Sequence, residues 1–148
     1  MTLMTISMNP INIPYENLSK LNQKYTDKLK EQANNVIDSG WYVLGENVKE
    51  FEHEFAIAND STFCVGVASG LDALILGLCV FDFPKGSKVL VPSNTYIATI
   101  LAILQSGLVP VLVEPNEDTC NIDIEGVQSC FSDDCVAIMI VHFVRKAM

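Results

Sequence analysis

A chain of 148 residues with a formal net charge of −9 and one arginine, Arg145, offers no basic face to nucleic acid. With 49% hydrophobic and 18% charged residues it is rich enough in apolar surface to fold as one domain, which excludes a disordered chain. Mean hydropathy is +0.29, yet no stretch reaches the ~18 uninterrupted apolar residues of a membrane span.

The N-terminal MTLMTISM lacks both a basic region and a long apolar core, so it does not read as a signal peptide. Residues 1–10 are expected to form a disordered tail, with the folded domain covering 11–148. The first long helix spans 17–39, where Leu18, Leu21, Tyr25, Leu29, Val36 and Ile37 trace one face and Gly40 ends it. Trp41-Tyr42-Val43-Leu44 reads as a short extended piece closed by Gly45. A second amphipathic helix follows on Val48, Phe51 and Phe55, to about Ala58.

From residue 62 the pattern alternates. Strands are expected at 62–67, 88–91, 109–113 and 136–142, and helices at 69–80, 95–106 and 123–131. Pro84-Lys85-Gly86 marks a turn, and Gly107 and Pro110 punctuate the third strand. The apolar runs are short and broken by Gly, Pro and Asp, as in parallel strands buried on both faces. The alternation implies a three-layer α/β/α fold around a mainly parallel sheet. The five cysteines, Cys64, Cys79, Cys120, Cys130 and Cys135, are odd in number and form no CxxC pair. They read as ordinary thiols of a reducing compartment, here the cytoplasm, and not as a metal site.

Ligands of parallel sheets bind at the carboxyl ends of strands. Two ends stand out. At Ala68-Ser69-Gly70-Leu71-Asp72, Ser69 suits an N-cap and Gly70 permits close approach to the backbone. The stretch is either a capped helix behind a strand or a phosphate cradle built on free N–H groups. With no arginine before residue 145, an anion there must rely on N–H groups, hydroxyls and lysines. At Val91-Pro92-Ser93-Asn94-Thr95-Tyr96, the tyrosine in the first helical turn is either a core-edge aromatic or a platform for a flat ring.

Taken in order, these stretches resemble a known family. Ser39–Gly45 (SGWYVLG), Phe51-Glu52, Phe55-Ala56, Ser-Gly-x-Asp-Ala-Leu at 69–74, VPSNTYIAT at 91–99, Gly-x-x-Pro-Val at 107–111, Glu114-Pro115 and Asn121-Ile122-Asp123 occur in register over about Ile13 to His142. This pattern is similar to that of the DegT/DnrJ/EryC1/StrS sugar aminotransferases, fold type I enzymes that use pyridoxal 5′-phosphate. The SGLDAL and VPSNTY forms look most like members that aminate the 3-position of nucleotide-linked keto-deoxysugars for polysaccharide or glycan biosynthesis.

The resemblance implies that Gly70, Leu71 and Asp72 cradle the cofactor phosphate and that Tyr96 stacks on the pyridine ring. It implies that Trp41 and Tyr42 lie near the sugar nucleotide, that an amino donor such as glutamate is used, and that the full-length enzyme is a homodimer. His142 matches a family histidine at a strand end, where a structural role is the more economical reading. The lysine that bonds the cofactor and the aspartate beside the pyridine nitrogen lie, in the family, beyond the position matching His142. Val144 and Arg145 also stand where relatives carry Tyr and Gly.

The expectation is therefore an N-terminal piece of the large domain, truncated before the catalytic lysine, inactive alone and binding the cofactor weakly or not at all. A non-catalytic product or assembly module is the alternative, and a sugar dehydratase of the same family a second. In the family's sheet, strand 62–67 pairs with later sequence, so here it is expected at an edge or unpaired.

Overall fold

The computed structural model describes residues 14–142. The expected tail 1–10 and the departures at Val144 and Arg145 lie outside the described residues. The chain divides into two compact units, Met1–Val65 and Gly66–Met148.

The first unit is helical: α1 at Leu18–Asn22, a 3₁₀ turn at Gln23–Tyr25, α2 at Thr26–Ser39 and α3 at Glu46–Ala58. The expected single helix 17–39 is thus interrupted, for a local reason. The Thr26 hydroxyl donates to the Asn22 carbonyl at 3.2 Å, the acceptor a continuous helix would offer to the Thr26 N–H. That N–H turns to the Gln23 carbonyl instead, so side chain and backbone compete and the winding tightens.

Gly40 closes α2 at φ 67°, a conformation that costs glycine little. Residues 41–45 are not extended as expected but bend, with Leu44 at φ 50°. Trp41 Nε1 donates to the Val43 carbonyl at 2.7 Å, and Tyr42 Oη donates to the Ile37 carbonyl at 3.1 Å. A side chain at Gly45 would meet the indole ring at 3.5 Å. The loop is held by its own aromatic tips. The apolar face of α1 and α2, with Leu18, Leu21, Leu29 and Ile37, remains exposed.

The second unit carries α4 at Gly70–Cys79, β1 at Lys88–Pro92, α5 at Ile97–Gln105, β2 at Val109–Val113, α6 at Ile124–Cys130 and β3 at Cys135–Ile138. The sheet has the order β2-β1-β3, with both pairings parallel. Val89, Leu90 and Val91 of the central strand are fully buried. Side chains alternate across a strand. Val89 and Val91 face α4 and α5, where they join Leu78, Ala102, Ile103 and Leu108 in the main core. Leu90 and Pro92 face the other way, beside Val111 and Val113 of β2. Gly126 of α6 brings its backbone against Val113, where an added methyl would stand only 3.2 Å from the valine. Helices therefore cover both faces of the sheet. Burying each of these aliphatic side chains contributes about 1.5–3 kcal/mol, so β1 and its neighbours hold most of the stability of this unit.

Three boundaries differ from expectation. Residues 62–67 join no ladder among the described residues, and Phe63 and Val65 are strongly exposed. A strand forms only where a neighbour takes its N–H and C=O groups, and both sides of β1 are already occupied. Strand β3 ends at Ile138 instead of 142. Helix α5 starts at Ile97 because Tyr96 is held extended at φ −66°, ψ 142°. Among the described residues no helix is long and apolar enough to cross a membrane.

Helix α5 ends in a double-bonded cap. The Gly107 N–H reaches the Leu104 carbonyl at 3.0 Å and the Leu108 N–H reaches Ile103 at 3.1 Å, while Leu108 and Ile103 pack in one cluster. Gly107 adopts φ 76°. Around it an added Cβ would meet only Lys85 methylenes, at 3.6 Å or more. Gly107→Ala is therefore expected to cost roughly 1–2 kcal/mol from backbone strain alone, read as a lowered midpoint in urea denaturation with an unchanged slope.

Candidate functional site

Ser69 precedes α4 in an extended conformation. Its Oγ accepts the Asp72 N–H at 3.2 Å and donates to Asp72 Oδ2 at 2.8 Å. Ser69 thus caps the helix, and the Asp72 carboxylate holds the capping hydroxyl in place. Asp72 also lies in the first turn, where a carboxylate is favoured by the helix dipole. This cap uses one of the helix's unpaired donors. The N–H groups of Gly70 and Leu71, ahead of it, have no intrahelical acceptor.

Gly70 is not in the left-handed region. A Cβ added there would meet nothing within 4 Å. Neither backbone geometry nor packing therefore demands glycine, and the space before it is open. That space belongs to a cleft of about 730 Å³ lined by Ser69, Gly70, Leu71, Tyr96 and Thr99 among others, within the ~300–1,000 Å³ of small-molecule sites.

The far wall of the cleft is formed by Tyr96 and the start of α5. The turn that leads into it from β1 is tied at Ser93, Asn94 and Thr95. The Ser93 N–H donates to the Val113 carbonyl at 2.9 Å, and the Thr95 N–H to Pro92 at 3.3 Å. Asn94 Nδ2 donates to the Cys120 carbonyl at 3.1 Å. The Thr95 hydroxyl donates to the Thr99 hydroxyl at 2.9 Å. Tyr96 caps α5 without using its side chain and is 76% exposed, so its ring stands free at the cleft rather than in the core edge.

The structure brings Gly70, Leu71 and Tyr96 to one cleft at the carboxyl end of β1. Asp72 shapes the turn through Ser69 and does not line it. Trp41 and Tyr42 belong to the first unit, and their polar tips are both bound to their own backbone. His142 is exposed beyond β3 and does not line the cleft. Of the lysines in 66–142, Lys88 pairs with Asp134 at 3.0 Å at the opposite end of β1, and the Lys85 stem lies over Gly107. Sequence reasoning did not single out Asn94 or Thr99 as site supports. A threonine inside an otherwise apolar helix was the signal available for the second.

The loop after β2, to which Asn94 is tied, is organised by Asp123. Its Oδ1 accepts the Gly126 N–H at 2.8 Å and its Oδ2 accepts Asn116 Nδ2 at 2.9 Å. The Gly126 N–H first, and then the Asn116 amide, hold this carboxyl below its ordinary value. A depressed carboxyl contributes stability that is complete above the unfolded-chain value of about 4 and is lost as pH falls through the lower folded value. The Gly126 amide resonance should therefore titrate with a midpoint below about pH 4, and loop 116–123 should loosen over the same window. Asp123→Asn should remove that step.

The sequence from residue 23 to 147 matches the DegT/DnrJ/EryC1/StrS aminotransferase family. A dTDP-3-amino-3,6-dideoxy-α-D-galactopyranose transaminase of Aneurinibacillus thermoaerophilus is 45% identical over 130 residues, 88% of this chain and 36% of the relative. The crystal structure of Streptomyces venezuelae DesV in complex with a ketimine intermediate aligns with a TM-score of 0.81 at 37% identity, covering 88% of this chain and 35% of that one. GDP-4-keto-6-deoxymannose-3-dehydratase with a trapped PLP-glutamate geminal diamine aligns with a TM-score of 0.65 at 32% identity, covering 71% and 29%. The chain thus spans about a third of the length of the proteins it matches. With the family match running from residue 23 to 147 and the fold aligning over 88% of its length, the chain belongs to the DegT/DnrJ/EryC1/StrS aminotransferase family.

Proposed function

We propose that residues 11–148 form the N-terminal part of the large domain of a pyridoxal-phosphate-dependent nucleotide-sugar aminotransferase. In this reading the cleft holds the phosphate and one ring face of the cofactor. The observation that carries it is Gly70, a glycine that neither strain nor packing requires, beside two N–H groups without intrahelical acceptors. A phosphate suits those donors and the positive end of α4. The exposed Tyr96 ring across the cleft suits a flat heteroaromatic ring, so the residues present fit the group.

When bound, pyridoxal phosphate supplies an electron sink for moving an amino group between donor and acceptor. The residues of this chain do the holding. Gly70 and Leu71 would donate to the phosphate, Ser69 and Asp72 would keep those amides in place, and Tyr96 would offer its face to the ring. Lys85 and Lys88 lie at the other end of β1 and take no part. Trp41 and Tyr42, with their donors already used, would offer ring faces to the sugar nucleotide, and the Tyr42 oxygen could still accept a hydrogen bond. The 45% identity to a dTDP-sugar transaminase favours a nucleotide-linked keto-deoxysugar, aminated at the 3-position, as acceptor, and the glutamate adduct in the dehydratase structure favours glutamate as donor. The likeness to that dehydratase also supports a second reading as a sugar dehydratase, with the same cofactor and the same cleft.

Two charge-assisted hydrogen bonds at about 1.5–3 kcal/mol each and a dipole contribution of ~0.3–1 kcal/mol are offset by the ~4 kcal/mol or more lost in association, which leaves less than the ~4 kcal/mol of millimolar affinity. Pyridoxal 5′-phosphate added to this chain is expected to bind no tighter than millimolar, at the cleft. In ¹H–¹⁵N spectra it should shift Gly70, Leu71 and Tyr96, whereas pyridoxal without its phosphate should leave Gly70 and Leu71 unmoved. Shifts confined to surface lysines, or Gly70 shifts independent of the phosphate, would contradict the reading.

A further inference from the structure

Thr99 is the one polar side chain buried among the described residues, at 7% exposure. It lies in α5, where every other residue from Ile97 to Leu104 is apolar. A buried hydroxyl is unfavourable unless it is hydrogen-bonded, and valine would fill the same volume, so the hydroxyl itself needs a reason. Its bonds supply one. Thr99 Oγ1 accepts the Thr95 hydroxyl at 2.9 Å, and the Thr99 N–H donates to the Tyr96 carbonyl at 3.0 Å. One residue of the helix thus grips two successive residues of the turn, and Thr99 itself lines the cleft into which that turn projects.

We infer that Thr99 is a positioning residue: its buried hydroxyl fixes Thr95 and thereby sets the direction in which the Tyr96 ring leaves the turn. Two other ties act on the earlier part of the same turn, where Ser93 is bound to β2 and Asn94 to the loop at Cys120. On the segment from Thr95 to Tyr96 the other bonds are backbone ones, from the Thr95 N–H to the Pro92 carbonyl at 3.3 Å and from the Thr99 N–H to the Tyr96 carbonyl. Without the hydroxyl bond these alone restrain ψ of Thr95, the torsion that aims Tyr96. The role rests on the proposed stacking of Tyr96 on the cofactor ring, although the mechanical claim can be read without any ligand.

The test compares Thr99→Val, Thr99→Ser and Thr95→Val in the whole chain, by amide exchange and by pyridoxal 5′-phosphate titration. Both valine variants should speed exchange at the amides of residues 95 and 99, corrected for the side chain, by roughly fivefold, the effect of one lost hydrogen bond. Leu90 in the sheet should be unaffected. The cofactor-induced shift at Tyr96 should shrink by a similar factor while that at Gly70 persists. Thr99→Ser should behave as the parent. Thr95 is only half-buried, so Thr95→Val carries the test if Thr99→Val does not fold. Unchanged exchange at residues 95 and 99, equal acceleration at Leu90, or failure of serine to restore the parent behaviour would each overturn the inference. Absence of any phosphate-dependent shift at Gly70 in the parent chain would count against the cofactor reading alone, and exchange would still decide the role of Thr99.

Discussion

β1 is the strand on which the second unit depends. Among the described residues it is the only strand with parallel neighbours on both edges, and Val89, Leu90 and Val91 are fully buried. Its side chains alternate between a core shared with α4 and α5 and a second layer beneath α6. Because β1 is clamped on four sides, its carboxyl end is a fixed point. The turn from Ser93 to Tyr96 inherits that position, and the start of α4 faces it because α4 and α5 pack side by side over the same strand. The cleft is therefore a product of core packing, with few residues spent on building it directly.

The electrostatics of the cleft are unusual for an anion site. The chain has a net charge of −9, and residues 14–142 contain no arginine. The two lysines of the second unit's described part stand at the other end of the sheet. A carboxylate, Asp72, even sits in the first turn of α4. It is tolerated because the helix dipole favours it and because its oxygen is bound to Ser69. What remains for an anion is directional: two N–H groups, a glycine that leaves room, and a dipole. Such a site selects by shape and donor geometry more than by charge, and it depends on how firmly its two walls are held. That places weight on the residues that hold the walls, Ser69 on one and Thr99 on the other.

Much of this was legible in the sequence. The helix expected at 69–80 is α4, and Ser69 before it is the expected cap. The runs at 88–91 and 109–113 are β1 and β2, with Gly107 as the break ahead of β2. What failed to read out had non-local or side-chain causes. Phe63 to Val67 has the composition of a strand, yet strand formation needs a neighbour and local pattern cannot supply one. The break at Gln23–Tyr25 depends on one hydroxyl, Thr26, taking a backbone acceptor. The extended state of Tyr96 depends on Thr99 three residues later. Trp41 to Leu44 reads as an extended piece, but the loop bends because the Trp41 and Tyr42 donors take carbonyls that the sequence does not mark.

The central claim is that α4 and the Tyr96 turn, both from the second unit, form a pre-set cleft for a phosphate attached to a flat ring. A crystal structure of the chain soaked with a high concentration of pyridoxal 5′-phosphate tests it most directly. The account predicts phosphate density within hydrogen-bond reach of the Gly70 and Leu71 amides, with the pyridine ring lying against the face of Tyr96 and the turn from Ser93 to Tyr96 unmoved. Ligand bound elsewhere on the chain, or a phosphate at α4 with the ring turned away from Tyr96, would contradict it.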